Sequence, residues 1–395
     1  MQNLKENLDK LNEYLNNKND DDIDIVDVVK YIANNYGANL KLAKNKKEVL
    51  DDRISLGNKV VFILVDGLGY YKVNDLKDSY ILKQNLKCGI QTVNPTSTAC
   101  VLSSIASASY SAEHGIFGWW GYLRNKDINY CPLPFVERKS DINLKEKNIT
   151  VDEVFKFDTI LDILNTKVHV TMPRELINSD FSKKFIGKKA STHGFYSVKE
   201  GFMNLSKKIK KETTSFSYMY IDGLDETSHM YGTKSAEVMS IIDEIEAGIK
   251  YLLNENEDLT IIITADHGQV DMEKMLYLNQ NIDYNKYFYA LPSIDTRMIS
   301  FYVKEDLKAE FEDTFMNEFG KDVILLKTEE INNYNLFGKE KLSEYALSNL
   351  GEYVCVVVNN KFMLCDKVNL EDKLNTKGNH SGLTREETTI PLIVI

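Results

Sequence analysis

Continuous apolar segments separated by helical patterns constrain the fold of this chain more than any other feature. The first is KVVFILV from residue 59, and helical patterns such as residues 234–253 lie between the segments. Strands that are apolar along their whole length are typical of parallel sheets covered by helices on both faces. The sequence therefore predicts an α/β fold with a mostly parallel, doubly covered sheet. Three further segments extend it: KVHVTM (167–172), SFSYMYI (215–221) and LTIIIT (259–264).

Two regions depart from this pattern. The segment 295–345 contains RMISFYV, a charged helical stretch and DVILLK, which predicts a small β-α-β insertion. The main sheet is expected to resume at EYVCVVV and KFMLC and to end with TIPLIVI. Residues 1–54 form an N-terminal helical extension, in which four leucines at helical spacing indicate one amphipathic helix and residues 23–54 one or two short ones. The catalytic domain is then 55–294 together with 346–395. The four leucines are Leu4, Leu8, Leu11 and Leu15.

Charge and composition restrict the partners. A formal net charge of −11 repels nucleic acid backbones and anionic membranes, so no stable nucleic-acid binding is expected. A phosphate-bearing substrate would need a local positive centre. The polar N-terminus lacks a signal-peptide core, and no stretch approaches the ~20 apolar residues that span a bilayer, so we expect a cytoplasmic protein without membrane contact. The five cysteines are scattered, with no CxxC pair, and indicate free thiols.

Acidic residues follow three of the apolar segments. Asp66 ends the first, Asp222 and Asp225 follow the third, and Asp266 follows the fourth after one alanine. A single aspartate in such a place is commonly a helix cap or turn residue. Because ligands bind beyond the carboxyl ends of the strands in open α/β sheets, several carboxylates there can converge on one crevice.

Histidines strengthen this interpretation. His229 stands four residues after Asp225, so one helical turn would place both on the same face. His267 directly follows Asp266, and His380 lies in the loop KGNHSGL. Imidazole and carboxylate ligands together suit zinc or a similar divalent ion. Taken singly, each histidine is more often a structural or surface residue.

A candidate nucleophile lies in the segment NPTSTACVLSSIASASYSAEHG. Thr96, Ser97 and Thr98 precede or begin a predicted helix from about Ala99, and each could equally be its N-cap. A helix N-terminus also offers backbone N–H groups to a phosphoryl oxygen. A threonine hydroxyl needs a base or a metal to become a nucleophile, which agrees with the metal-type residues above.

The elements VDGLG, PTSTA, DETSH, ADHG and NHSGL, in this order, resemble the nucleotide pyrophosphatase/phosphodiesterase family of the alkaline phosphatase superfamily. The resemblance runs from about residue 59 to 395 and implies an alkaline phosphatase-like three-layer α/β/α fold. It also implies two divalent metal ions, zinc or alternatively manganese. By the resemblance, the nucleophile lies 16 residues before His114, which selects Thr98 and leaves His114 a structural role. One ion would be bound by Asp66, Thr98, Asp266 and His267, and the other by Asp225, His229 and His380.

The expected activity is that of a metal-dependent phosphodiesterase or nucleotide pyrophosphatase acting through a phospho-threonine intermediate. The chain departs from the family at Val101, where many members have an asparagine that holds a phosphoryl oxygen. That function would then fall to the metals and the backbone N–H of Ala99. The chain has no arginine after the nucleophile, which favours a diester over a monoester, and no sulfatase signature. The alternatives are a phosphomonoesterase, phosphonate hydrolase or phosphomutase on the same frame and, less favoured, a non-catalytic binding protein.

Aromatic and histidine side chains supply candidate substrate contacts. Trp119 and Trp120 follow the His-Gly turn, and stacking of a nucleobase on them would contribute ~1–3 kcal/mol. Tyr70 and Tyr71 follow Asp66, the aspartate at the end of the first apolar segment. Each aromatic could instead pack the core. His193, in STHGF, is a weaker candidate for a phosphate contact. The partner is thus a small-molecule phosphodiester or nucleotide, and the sequence leaves the oligomeric state open.

Overall fold

The computed structural model describes residues 9, 11–15, 22–365 and 376–395. Of the predicted amphipathic N-terminal helix, residues 11–15 are helical, whereas Leu4 and Leu8 lie outside the described residues. Leu11 is buried in a cluster with Ile324 and Val356. The amphipathic segment therefore packs against the strands that contain Ile324 and Val356. The rest of the extension contains two helices, α1 (Ile25–Asn35) and α2 (Lys44–Arg53).

The central sheet has seven strands in the order β2-β18-β9-β1-β8-β6-β7. All neighbouring pairs are parallel except those of β18, which runs antiparallel to β9 and β2. The predicted α/β fold is confirmed. The strands are β1 (Lys59–Val65), β2 (Leu86–Gln91), β6 (Lys167–Pro173), β7 (Ser191–Phe195), β8 (Ser215–Ile221), β9 (Leu259–Thr264) and β18 (Thr389–Val394).

Helices cover both faces of this sheet, because the central strands present apolar side chains to both faces. Tyr218 on one face of β8 lines a small internal cavity with Val29 of α1 and Ile105 of α5. Met219, pointing to the opposite face, lies against Gly201 of α9. The result is a three-layer arrangement. Flanking helices are α3 (Tyr70–Asn74), α4 (Ile81–Gln84), α5 (Thr98–Ser107), α6 (Ser111–His114), α7 (Val151–Val154), α8 (Asp180–Ile186), α9 (Val198–Ile209), α10 (Gly223–Tyr231) and α11 (Ala236–Glu255).

The register of the central strands sets the position of the acidic residues. Val65 of β1 pairs with Ile221 of β8, and Leu64 pairs with Thr264 of β9. One or two residues further on, all three strands have reached their carboxyl ends. Asp66, Asp222 and Asp266 therefore emerge at the same edge of the sheet.

We call the part of the chain that forms the four-stranded and two-stranded sheets between residues 274 and 364 the small domain. It includes more of the chain than the predicted insertion. We expected EYVCVVV and KFMLC to rejoin the central sheet, and this was wrong. β15 (Tyr353–Val357) pairs with β13 (Met298–Phe301) and β14 (Val323–Lys327) in an antiparallel sheet completed by β12 (Ser293–Ile294). β16 (Lys361–Leu364) pairs with β11 (Lys274–Tyr277). The sequence pattern does not separate the two sheets, because both contain apolar strands. The strands of the small sheet are apolar because α12 (Lys308–Phe319) buries its phenylalanines against them. TIPLIVI does return to the central sheet as β18.

Short elements connect these parts. β3 (Gly121–Leu123), β4 (Ile128–Cys131) and β5 (Val136–Glu137) form a three-stranded sheet. β10 (Val270–Asp271) pairs with β17 (Gly378–Asn379), which brings the segment before His380 beside the segment after His267. The remaining helices are α13 (Glu344–Ser348), α14 (Arg385–Thr388) and the 3-10 turns Leu144–Lys147, Ile160–Asp162, Tyr284–Tyr287, Glu305–Leu307 and Thr328–Asn333.

Candidate active site and metal centre

The turn after β1 brings the first carboxylates together. The backbone N–H of Gly67 and that of His267 donate to Asp266 Oδ1 at 3.1 and 2.8 Å. Gly67 has a φ of +74°, and a Cβ there would lie 3.1 Å from the Cα of Asp225. Only glycine fits this close approach, so the VDGLG turn fixes Asp66 against the neighbouring strand ends.

The first group of metal-type ligands consists of Asp66, Asp266 and His267, all buried. The Nε2 atom of His267 lies 3.4 Å from Asp66 Oδ1 and 3.3 Å from Asp266 Oδ2. It also lies 3.3 Å from the Thr98 hydroxyl. Neither of those two carboxylate oxygens has a hydrogen-bond partner among the described residues. Buried oxygens of this kind normally have a partner, so a cation between them is the simplest fit.

The second group consists of Asp225, His229 and His380. Asp225 and His229 are one turn apart on α10, with His229 Nε2 3.3 Å from Asp225 Oδ2. His380 Nε2 lies 3.7 Å from Asp225 Oδ1. Its ring also stacks on that of His267 at a centroid distance of 3.7 Å, which places the two groups side by side.

Each of the three histidines uses its Nδ1 atom in the same way. Nδ1 lies 3.0 Å from the Gly268 carbonyl oxygen in His267, 2.7 Å from that of Gly378 in His229, and 2.7 Å from that of Thr96 in His380. Since a carbonyl only accepts, Nδ1 carries the proton and donates it. The lone pair is then on Nε2, the atom that faces the carboxylates, as in metal-binding histidines.

The electrostatics of the site agree with bound cations. Burial, together with the charges of Asp266 and Asp225, raises the pKa of Asp66 well above its usual value. Burial opposes the ionisation of Asp225, but His229 and His380 hold its pKa below the usual range. Burial and the neighbouring His267 lower the pKa of His380 to about 4, so this imidazole is neutral near pH 7. Buried carboxylates beside the neutral imidazole of His380 fit a divalent metal ion.

The three candidate hydroxyls point to different partners. Thr96 donates to the carbonyl oxygen of Gly382 at 3.0 Å, and Ser97 donates to Asp295 Oδ2 at 3.1 Å. Thr98, the first residue of α5, has its hydroxyl beside His267. Its position in the first turn leaves the N–H groups of Thr98 and Ala99 without partners in the helix. Of the three, Thr98 is the hydroxyl that lies at the first ligand group.

A cavity of about 330 Å³ opens above both ligand groups, and Asp66, Thr98 and Asp225 lie in its wall. Trp119 lines it and is 43% exposed. Trp120 does not line it, and the guanidinium of Arg138 lies over its ring at 4.1 Å. Trp119 and Trp120 both line a neighbouring cavity of about 420 Å³.

Other candidate contacts lie away from this cavity. His193 is on the edge strand β7, where its ring lies 5.7 Å from that of His169. Tyr70 and Tyr71 pack edge-to-face on each other at 5.3 Å. His114 is buried and accepts the Ile116 N–H at Nδ1, as a structural residue does.

Sequence reasoning missed several residues of the site. The Tyr220 hydroxyl donates to Asp66 Oδ2, and Gln269 Nε2 donates to Asp225 Oδ1. Gln269 directly follows ADHG, so its place after two ligands was a usable signal. Tyr220 lies within an apolar strand and gave none. Glu226, and Asp222 which the sequence already placed after the third apolar segment, also line the cavity with Asp225.

The small domain supports the loop that carries His380. The fully buried side chains of Arg297 and Glu387 form an ion pair, with Nε and Oε1 2.6 Å apart. The same carboxylate oxygen accepts the Gly382 N–H at 2.8 Å. Asn379 donates to the Thr296 hydroxyl at 3.1 Å. These contacts connect both sides of His380 to the hairpin between β12 and β13.

A protein-family model matches most of this chain. Residues 60–383 match the model of the type I phosphodiesterase/nucleotide pyrophosphatase family. This chain belongs to that family. It is therefore a phosphoester hydrolase of the phosphodiesterase class, and the resemblance based on its five motifs is confirmed. A comparison with curated proteins finds no match.

Solved structures share the fold of this phosphodiesterase family member. Murine ectonucleotide pyrophosphatase/phosphodiesterase 5 superposes with a TM-score of 0.65 at 16% identity, over 85% of this chain and 87% of that one. An inactive form of the same murine protein was solved in complex with AMP. Phosphonoacetate hydrolase from Sinorhizobium meliloti 1021, in complex with phosphonoformate, gives 0.61 at 17% identity, over 85% and 89%. No helix in the described ranges is both long and apolar enough to cross a bilayer.

Proposed function

We propose that this protein hydrolyses phosphodiesters at a site for two divalent metal ions, with Thr98 as the nucleophile. The observation that carries the proposal is the convergence of two ligand groups whose imidazole Nε2 atoms face carboxylates, with the Thr98 hydroxyl 3.3 Å from His267. Asp66, Thr98, Asp266 and His267 would hold one ion. The other would be held by Asp225, His229 and His380. Zinc suits this set of nitrogen and oxygen donors, and manganese is the alternative.

When bound, the ions supply Lewis acidity that lowers the pKa of the Thr98 hydroxyl and neutralises charge on the phosphoryl group. The Thr98 oxygen attacks phosphorus and gives up its hydroxyl proton. The bond between phosphorus and one ester oxygen breaks, and that oxygen leaves with the bonding electron pair and takes up a proton to form the free alcohol. The N–H of Ala99, at the start of α5, can donate to a phosphoryl oxygen. Val101 cannot, because its side chain has no donor.

Water then attacks the phospho-threonine, breaks its bond to the Thr98 oxygen and restores the hydroxyl. Two successive in-line displacements retain the configuration at phosphorus. The carbonyl contacts of Nδ1 keep His229, His267 and His380 in one tautomer through both steps. Tyr220 holds Asp66 from the opposite oxygen.

The test compares bis(4-nitrophenyl) phosphate with 4-nitrophenyl phosphate in the full chain loaded with zinc or manganese. We expect a higher kcat/KM for the diester, two equivalents of metal per chain, and loss of turnover in Thr98→Ala. A chiral thiophosphate diester should react with retention. Inversion would eliminate the covalent step, and a preference for the monoester would favour a phosphatase on the same frame.

A further inference from the structure

The cavity above the metal ligands has an unbalanced charge. Four described residues in its wall are ionisable acids, and none is basic. Asp66 and Asp225 belong to the ligand groups, and their charge is the one that metal ions would neutralise. Asp222 and Glu226 are outside those groups. Their charge therefore remains when the metal ions are bound.

No described residue forms an ion pair with either of these two carboxylates. Asp222 is the N-cap residue of α10 but makes no side-chain capping bond. Burial raises the pKa of Asp222, and the negative charges of Glu175, Glu226 and Asp225 raise it further. Glu226, one turn into α10, is exposed. A ligand group entering between them meets negative potential on this side of the cavity.

Apart from the hydroxyls of Thr98, Ser179 and Ser182, the rest of the wall is apolar and aromatic. Trp119 presents an exposed ring, and Phe181 and Leu176 lie further along the wall. Asp66 and Thr98, which lie at the first ligand group, line the same cavity, so a reacting group would enter here. Aromatic faces beside carboxylates attract an alkylammonium group and accept an uncharged one, whereas a further phosphate or carboxylate is repelled.

We propose that Asp222 and Glu226 determine the substrate class: the alcohol held in this cavity is uncharged or bears an amine, and alcohols with additional negative charge are rejected. The proposal rests on the proposed phosphodiesterase function and names its substrate. Nucleosides and aminoalkyl alcohols satisfy it. Alcohols that carry a second phosphate do not.

The test uses three 4-nitrophenyl phosphodiesters whose second alcohol is butyl, 3-aminopropyl or 2-carboxyethyl. These groups have similar size and differ in charge, and the leaving nitrophenolate is the same. In the zinc-loaded full chain we expect kcat/KM for the aminopropyl ester to exceed that for the carboxyethyl ester by at least about tenfold. The double variant Asp222→Asn/Glu226→Gln should reduce this ratio to about threefold or less.

Glu244→Gln is the matched control, since Glu244 is an exposed acid on α11 that does not line the cavity. It should keep the wild-type ratio. Because each ratio is taken within one protein, a general loss of activity in a variant cancels. A ratio near one in the wild type, or a ratio that the double variant leaves unchanged, would overturn the proposal.

A second readout does not require turnover. Calorimetry of 3-aminopropyl phosphate and 2-carboxyethyl phosphate with the zinc-loaded chain should show tighter binding of the amine by a similar factor. If no diester is cleaved but the amine still binds more tightly, the proposed reaction fails while the charge selection holds. Equal binding of the two phosphates contradicts the charge selection itself.

Discussion

The imidazole Nδ1 of His380 lies 2.7 Å from the carbonyl oxygen of Thr96, two residues before Thr98. The contact joins a residue of the second ligand group to the loop that presents Thr98, the proposed nucleophile. The backbone N–H of Ser381 donates to the same carbonyl at 2.9 Å. The two loops, nearly 300 residues apart in sequence, are thus held as one unit.

Replacing Thr98, the proposed nucleophile, should stop turnover. Thr98→Ala should lower kcat for bis(4-nitrophenyl) phosphate by at least about 10³-fold, since the covalent route is lost. Thr98→Ser, which keeps the hydroxyl, should retain part of the activity. Ser97→Ala is the control, because the Ser97 hydroxyl contacts Asp295 and not the ligand groups. Equal losses in the Thr98→Ala and Ser97→Ala variants would contradict the assignment.

Gln269 should control metal affinity through Asp225. Its amide donates to Asp225 Oδ1, and removal of such an outer contact typically lowers metal affinity by about 10–100-fold. We expect Gln269→Leu to bind one of two zinc equivalents more weakly by this factor in a chelator competition. Gln280→Leu, at an exposed site of the small domain, should bind both normally. Unchanged affinity in Gln269→Leu would show that this contact does not position the ligand.

Trp119 and Trp120 should differ in their effect on substrates. Trp119→Ala should raise KM for a nucleoside 5′-(4-nitrophenyl phosphate) about fivefold or more, because stacking of a base is worth ~1–3 kcal/mol. KM for bis(4-nitrophenyl) phosphate should rise less. Trp120→Ala should leave the ratio of the two KM values unchanged, since Arg138 covers that ring. A similar rise for both substrates in Trp119→Ala would exclude base stacking.

His114 should make the fold sensitive to mild acid. Burial lowers its pKa to about 3, and Nδ1 accepts the Ile116 N–H while Nε2 lies 2.9 Å from the Ser104 hydroxyl. Because the folded-state pKa lies below the unfolded value of ~6.5, the unfolded chain binds more protons between these values. The free energy of unfolding attributable to neutral His114 is therefore present above pH ~6.5 and is lost as the pH falls towards 3.

From pH 7 to pH 5 this residue alone should account for a loss of about 2 kcal/mol in the free energy of unfolding. Urea unfolding at both pH values measures it. In His114→Gln, which carries no titrating group, the decrease should be smaller by that amount. An equal decrease in wild type and variant would show that His114 is not the group responsible.

The ion pair between Arg297 and Glu387 should be costly to break from one side. Arg297→Met leaves a fully buried carboxylate unpaired and should destabilise the fold by about 3–5 kcal/mol. Arg297→Met/Glu387→Gln removes the charge and keeps a carbonyl oxygen for one of the two N–H groups, of Gly382 and Thr384, that Glu387 accepts, so it should cost less. Urea unfolding of both variants tests the order. If the double variant is the less stable, the unpaired charge is not the cause.

Local pattern was informative for the central sheet and misleading for the small domain. The runs that became β1, β8 and β9 could be placed because they are apolar throughout and bounded by Asp or Gly. The run that became β15 has the same character, but it pairs with β13 and β14. Strand pairing depends on which partner the chain can reach, and a single segment does not encode that.

The sequence by itself determined the strands of the α/β layer, the family and the order of the ligand residues, because these follow from short-range spacing. The resemblance selected Thr98, but only the tertiary structure showed its hydroxyl beside His267, Arg138 over the ring of Trp120, and Tyr220 and Gln269 bonded to the carboxylates of Asp66 and Asp225. Such contacts join positions up to 169 residues apart, and they arise when the strand ends meet. Their geometry comes from packing, which no local pattern specifies.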